Sequence, residues 1–378
     1  MQISTSSGVA TKADASDPHL VQLFDSPPCH GEAVEIADGI WWMRIELSGG
    51  PSHVNVYILR SRKGWVLVDT GNNTQSSREA IDLIFQRAPF CDLPLQYVIV
   101  THFHPEHIGL AGTLCTAGAK LICTRSCWAT TKLLCIATDT DRRPEQVEFM
   151  KLAGLTGIEL EAYFRSGNRK FREVVAPLPD IFFNIHQGDQ LKIGDRNWRV
   201  EIGHGHAADH VTLWSDDHYL ISGDQILPGI SSNLSVPPSE PDSDTVTQWI
   251  ESCVRLAALA LPETKCLPGH NLPFMGVARR CEQLKNNHVK AVERLLDHLV
   301  VPRKAIECLH AVYRRDLSPS ERGTLIAETV GYLNHLRNRG LIQRQLVNGA
   351  YIWSRCQSPV STGASKSLEP LSTDVICI

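Results

Sequence analysis

The chain reads as an α+β protein in which two β-sheets are sandwiched between layers of helix. Three observations predict this. Strand-like runs cluster before residue 70, they return between 191 and 221, and helical stretches follow each group. In chain order, 39–47, 54–59 and 65–68 are rich in β-branched and aromatic residues and bounded by Gly, Ser or Lys, which predicts a meander. A helical stretch over 76–87 leads to a buried strand over 97–100, then to a histidine-rich turn. Residues 124–176 are mostly helical and interrupt the pattern as an insertion. Strands resume at 191–193, 198–202, 211–214 and 219–221. An amphipathic helix follows, with Val246, Trp249, Ile250, Cys253 and Leu256 on one face.

The ends and the C-terminal part have a different character. Residues 1–25 and 357–378 are rich in Ser, Thr, Asp and Ala and are expected to be flexible, leaving 26–299 as the catalytic body. From 300 to 356, helical segments over 303–315 and 319–338 precede strand-like runs at 341–346 and 351–353 around Asn348-Gly349, a hairpin signal. Helices followed by a hairpin predict a small winged-helix-like domain. It holds nine basic against four acidic residues, whereas 1–299 carries a net charge of −8.

Composition excludes several classes. With 43% hydrophobic and 21% charged residues the chain is neither disordered nor a small disulfide scaffold, and its net charge of −4 gives no overall footprint for nucleic acid or anionic membrane. There is no apolar run long enough to span a bilayer and no signal-peptide pattern at the N-terminus, so a cytoplasmic location is expected. The 12 cysteines form no CxxC pair; they are expected to be reduced, the tightest group being Cys115, Cys123, Cys127 and Cys135.

The chemistry concentrates in Val100-Thr101-His102-Phe103-His104-Pro105-Glu106-His107-Ile108-Gly109. In an extended segment, side chains two apart point the same way, so His102 and His104 can grip one cation. Beyond the proline, Glu106 and His107 can face a neighbouring site. Imidazole and carboxylate ligands suit Zn²⁺ and related divalent metals. Further candidates stand at strand ends or glycine turns: Gly205-His206, Gly223-Asp224 and Gly269-His270. Of the neighbouring His204, His206 and His210, the Gly-His spacing favours His206 as ligand, leaving His204 and His210 to shape or hydrogen-bond the site. His53 precedes a strand, where it could line the pocket or serve packing.

Together with Asp69-Thr70-Gly71, these motifs resemble the metallo-β-lactamase superfamily: a strand ending in Asp-Thr-Gly, an HxHxDH segment, then Gly-His, Gly-Asp and a final Gly-His, spanning roughly 35–275. The resemblance implies an αββα sandwich with a metal site at one edge. It implies two divalent ions, zinc first with manganese or iron as alternatives. His102, His104 and His206 would hold the first, Glu106, His107 and His270 the second, and Asp224 would bridge them. Asp69 would support the site by hydrogen bonds. One departure stands out: Glu106 replaces the family's Asp. Being one methylene longer, it is expected to remain a ligand with weaker or more selective occupancy of the second site. Such an ion pair lowers the pKa of a bridging water toward 7, providing hydroxide at neutral pH, with Glu106 and Asp224 as the carboxylates that organise it.

For the substrate, three features matter. Phe149, Leu152, Leu155, Ile158, Leu160 and Phe164 of the insertion offer apolar surface that could cover an acyl group or serve equally as a structural cap. Arg165, Arg169, Arg172 and Lys170 could hold the phosphates of coenzyme A or a carrier-protein arm. A loop over 228–241, with Ser231, Ser232 and Asn233, would run along the rim. The C-terminal module also resembles the winged helix appended to a branch containing acyl-thioester hydrolases and an RNA-cleaving relative. The resulting expectation is a hydrolase of a small-molecule acyl thioester or ester. The alternatives are an endoribonuclease, a lactone or β-lactam hydrolase, and a winged-helix DNA-binding regulator with a sensor domain. Neither nucleic acid nor membrane is the expected partner, and the module is expected to pack against the catalytic body or across a homodimer.

Overall fold

The computed structural model describes residues 17, 19–48, 51–136, 143–166 and 171–356. Trp65–Val68 is buried along its whole length, as an interior strand covered on both faces must be. It sits within a seven-stranded sheet ordered Ala33–Ala37, Ile40–Glu46, His53–Arg60, Trp65–Val68, Leu95–Ile99, Lys120–Cys123 and Phe183–Asn184. The first pairs are antiparallel, and from Trp65–Val68 onward the pairing is parallel. A second seven-stranded sheet runs Val21–Gln22, Phe274–Met275, Lys265–Pro268, Tyr219–Gly223, His210–Ser215, Arg196–Gly203 and Gln190–Ile193, and its pairing is parallel where Tyr219–Gly223 meets Lys265–Pro268.

The pleat explains the layering. Alternate residues of a strand point to opposite faces, so Trp42, Tyr57, Leu59 and Val68 meet Trp198, Val200, Val211 and Leu213 between the sheets. Met43, Ile45, Val56 and Ile58 point the other way onto Ala80, Ile81 and Ile84 of the helix Gln75–Phe85. On the far side, Leu220 and Cys266 back onto the helices Thr245–Leu259 and Val277–His298. The expected αββα order is present.

Three regions take more definite places than the sequence shows. The first 25 residues are not wholly apart from the fold: Val21–Gln22 adds an edge strand to Phe274–Met275, Phe24 lies 5.3 Å from Trp42 between ring centroids, and Arg279 Nε reaches Asp17 Oδ2 at 2.9 Å. The apolar residues of the insertion do not form a cover: Phe149, Leu155 and Leu160 are core, Phe164 packs against that core, and Ile158 faces solvent. Finally, the structure does not set a winged-helix domain apart. The helix Pro319–Asn338 and the hairpin Ile342–Val347/Ala350–Arg355 are present, but Leu325, Ile326, Tyr332, Leu333 and Leu336 are fully buried in the core that also contains Trp249 and Leu284. The helix has no long exposed face to offer to a DNA groove, because it fills the space beside the sandwich.

No helix among the described residues is long and apolar enough to cross a membrane. The 11 cysteines of the described residues are free thiols, and burial pushes Cys115 up to about 11.

A shared core predicts shared unfolding. Leu333→Ala should cost about 2–5 kcal/mol and lower the midpoint of a single denaturant transition seen alike by circular dichroism and tryptophan fluorescence. Two separated transitions would show instead that 300–356 folds on its own.

Candidate metal centre

The site forms where both sheets end. Trp65–Val68 runs out into Asp69, and Leu95–Ile99 into Thr101 and His102. Pro105 then opens the short helix Pro105–Ile108, whose one turn carries Glu106 and His107 with His104 at its N-cap. The second sheet delivers His206 after Arg196–Gly203, Asp224 after Tyr219–Gly223 and His270 after Lys265–Pro268. Two glycines make the convergence possible. Gly205 has φ +97°, and a side chain there would overlap the Trp249 side chain; a Cβ at Gly269 would overlap Asp224 Oδ1. The Gly269 N–H also donates to Gly223 O at 2.8 Å, locking the Asp224 and His270 turns together.

Hydrogen bonds decide what each imidazole presents to the interior. The Thr101 hydroxyl donates to Asp69 Oδ2 at 2.9 Å, so it can only accept from His102 Nδ1, 3.0 Å away. His206 Nδ1 donates to Asn233 O at 2.7 Å, and His270 Nδ1 donates to His53 O at 2.7 Å. His107 Nδ1 donates to Asp69 Oδ2 at 2.7 Å. Every one of these four rings therefore spends one N–H outward and turns its Nε2 inward. His102 Nε2 and His206 Nε2 end 3.3 Å apart as two lone pairs with no proton between them, and His102 Nε2 is 2.9 Å from His104 Nδ1. His270 Nε2 faces Asp224 Oδ2 at 3.1 Å, while His107 Nε2 and Asp224 Oδ1 have no hydrogen-bond partner.

Buried, electron-rich atoms aimed at each other are what a divalent cation requires. They fall into two sets, His102, His104, His206 and Asp224 in one and Glu106, His107, Asp224 and His270 in the other, with the donor atoms of each set within 4.8 Å of one another. Asp224 belongs to both. The additional methylene of Glu106 does not remove it from the second set, and its carboxyl is buried. The residues present thus fit two ions.

The electrostatics agree. Burial, reinforced by His107 and the other imidazoles, holds His102 well below the usual histidine range, and burial with His206 does the same for His104; both stay neutral and able to ligate. Burial opposes charge on His107, yet the carboxylates of Asp224 and Asp69 hold it well above the ordinary value. Positive charge is in demand at that Nε2, whether from a proton or from a metal. Burial would raise Asp224, but His270 and His107 outweigh it and keep it well below the usual carboxylate range. Burial raises Glu106.

The remaining candidates stand outside the two sets. His210 Nε2 accepts the Asp224 backbone N–H at 3.0 Å, and burial followed by His206 pushes it down to about 3, so it braces Asp224 as a neutral ring. His53 Nε2 accepts the Asn271 N–H at 2.9 Å; burial, Arg44 and His270 push it down to about 3. His204 is turned away and half exposed, bonded to Ala208 O at 2.5 Å. Asn233 contributes its backbone carbonyl to His206. Asp69, at φ +64°, also accepts the Thr101 N–H at 2.8 Å. Of the basic run, Arg169 and Lys170 lie outside the described residues, Arg165 falls in the helix Gly157–Ser166, and Arg172 is exposed in Phe171–Val174.

Sequence reasoning missed Thr101, although it lies inside the histidine motif, and it missed Asn55. Asn55 Nδ2 donates to Pro268 O at 2.9 Å and to Asn271 O at 2.8 Å, holding the turn that presents His270. The available signal was a lone Asn in the otherwise apolar run Val54 to Leu59. Because Asp69 orients both His107 and, through Thr101, His102, Asp69→Asn should weaken metal binding about 10–100-fold, measured by competition with a chromophoric chelator. Unchanged affinity would remove Asp69 from this role.

Comparison with known proteins follows the same line. Residues 49–270 match the family model of the metallo-beta-lactamase superfamily. Among solved structures the chain is similar to a beta-lactamase domain protein from Burkholderia ambifaria, with 31% identity, a TM-score of 0.82, and coverage of 89% of this chain and 98% of that one. It is also similar to a metallo-beta-lactamase family protein from Thermus thermophilus, with 25% identity, a TM-score of 0.73, and coverage of 85% and 100%. With its His/Asp cluster arranged for metal ions, this chain belongs to the metallo-beta-lactamase superfamily of metal-dependent hydrolases.

Proposed function

We propose that this protein is a dinuclear metal-dependent hydrolase whose substrate is an acyl thioester with an extended, amide-bearing leaving group such as coenzyme A or a carrier-protein arm. The observation that carries the hydrolase reading is the inward aim of His102, His107, His206 and His270 Nε2 around Asp224, each ring held by an outward N–H. Divalent cations bound there supply Lewis acidity, bringing a water toward ionisation at neutral pH and polarising a carbonyl. The protein's own part is to keep the His102, His104 and His206 imidazoles neutral by burial, to hold Asp224 ionised, and to fix ring orientation through Asp69, Thr101, Asn233 and the His53 carbonyl.

The substrate reading draws support from an open cleft of about 940 Å³ that reaches the loop carrying His206 through His204 and Asp209. His204 and Asp209, from the loop carrying His206, form one wall; Thr124 and Arg125, at the end of the strand Lys120–Cys123, form another. Asn184 and Gln248 also line it, groups that pair with amides, and Arg125 offers a guanidinium to a phosphate. The C-terminal segment has its helix Pro319–Asn338 buried, which weighs against the DNA-binding alternative.

The test is initial hydrolysis rate across acyl-coenzyme A thioesters, simple esters, lactones and a single-stranded RNA, with zinc- or manganese-loaded protein. Thioester cleavage is expected to fall to background in His104→Ala and after chelation, and to return on adding metal. Preferential RNA cleavage falling steeply with salt would replace the thioester reading.

A further inference from the structure

The long C-terminal helix Pro319–Asn338 carries one carboxyl that packing does not explain. Glu328 is fully buried among apolar residues and makes its hydrogen bonds to neutral donors. Its Oε2 accepts from Tyr313 Oη at 2.6 Å and from Asn233 Nδ2 at 3.4 Å, and its Oε1 accepts the Leu234 N–H at 3.3 Å. A carboxyl held this way is costly, and burial pushes it up to about 7. A Leu or Met would fill the same volume without that cost, so the position calls for acceptor oxygens.

What those oxygens hold is the loop behind Asp224. Asn233 is bonded at three points: its Nδ2 goes to Glu328, its Oδ1 accepts the Ser235 N–H at 2.9 Å, and its backbone O receives His206 Nδ1 at 2.7 Å. The following residues are held by two helices, with the Val236 N–H donating to Ala327 O of the same helix at 3.2 Å and Thr245 Oγ1, at the start of the helix Thr245–Leu259, donating to Leu234 O at 2.7 Å. A ring whose Nδ1 partner shifts also turns its Nε2. We infer that Glu328 is a positioning residue for the metal centre: it pins the Asn233–Leu234 backbone, so that the Asn233 carbonyl keeps the His206 imidazole aimed at the cluster. The C-terminal segment is thereby a working part of the site. This inference rests on the reading of His206 as a metal ligand.

The test uses full-length protein loaded with cobalt(II), comparing visible absorption and competitive cobalt affinity for Glu328→Ala, Glu328→Gln, His206→Ala and Leu333→Ala. Leu333 lies on the same helix, in the core, and its apolar side chain, which cannot hydrogen-bond the loop, serves to match the loss of stability. Glu328→Ala should shift the absorption and weaken cobalt about 10–100-fold. Glu328→Gln, which keeps an acceptor for Leu234, should recover part of both, and Leu333→Ala should change neither. Should Glu328→Ala not fold, the isosteric Gln variant carries the test. Folded Glu328 variants with the native spectrum and affinity overturn the proposal, as does an equal shift in Leu333→Ala. A native spectrum in His206→Ala would instead overturn the ligand reading on which it rests.

Discussion

The arrangement of the centre depends on one constraint: each buried imidazole must place its single N–H on an oxygen outside the cluster. Asp69, the Thr101 hydroxyl, the Asn233 carbonyl and the His53 carbonyl accept those protons, and the consequence is a pocket of inward-facing imidazole nitrogens around a buried carboxylate. In a low-dielectric interior such a set calls for positive charge, from a proton on His107 or from a bound cation. The same bonds give it a defined geometry, since a ring anchored at Nδ1 can present Nε2 in one direction only.

Each acceptor belongs to a different element, and this links the centre to the architecture. Asp69 stands at the end of a parallel strand in the first sheet, while Asp224 and His270 stand at the ends of a parallel pair in the second. The sheets pack face to face through Trp42, Tyr57, Trp198 and Leu213, so those strand ends arrive at one edge of the sandwich. Asn55 and Tyr57, from the first sheet, bond the Pro268 carbonyl of the second and tie the two edges across the site. Behind the second sheet, the continuous core of Trp249, Leu284 and Leu333 joins the C-terminal helix to the same scaffold.

Much of this was legible in the chain. The histidine segment is contiguous, so its chemistry could be read without knowing the fold, and the glycine before His206 and His270 marks turns where a side chain would collide. Strands over 54–59 and 65–68 were visible because their residues are covered on both faces and so are almost wholly apolar. Less legible were the two-residue strands Val21–Gln22 and Phe274–Met275, too short to show a period of two and held by pairing alone. Apolar residues of the insertion, such as Phe149 and Leu160, announced burial but not against what; the partner proved to be the C-terminal segment rather than an acyl chain.

The sequence by itself determined the two-sheet class and the histidines and carboxylates that could take part in holding a metal, because these follow from residue type and local spacing, while Glu106 stood out only against the pattern of the family the chain resembles. Tertiary structure alone decided that His210 braces Asp224 while His204 turns away, and that Glu328 stands behind the Asn233 loop. Those outcomes depend on contacts between residues far apart in the chain, and no local pattern encodes which distant atoms will meet.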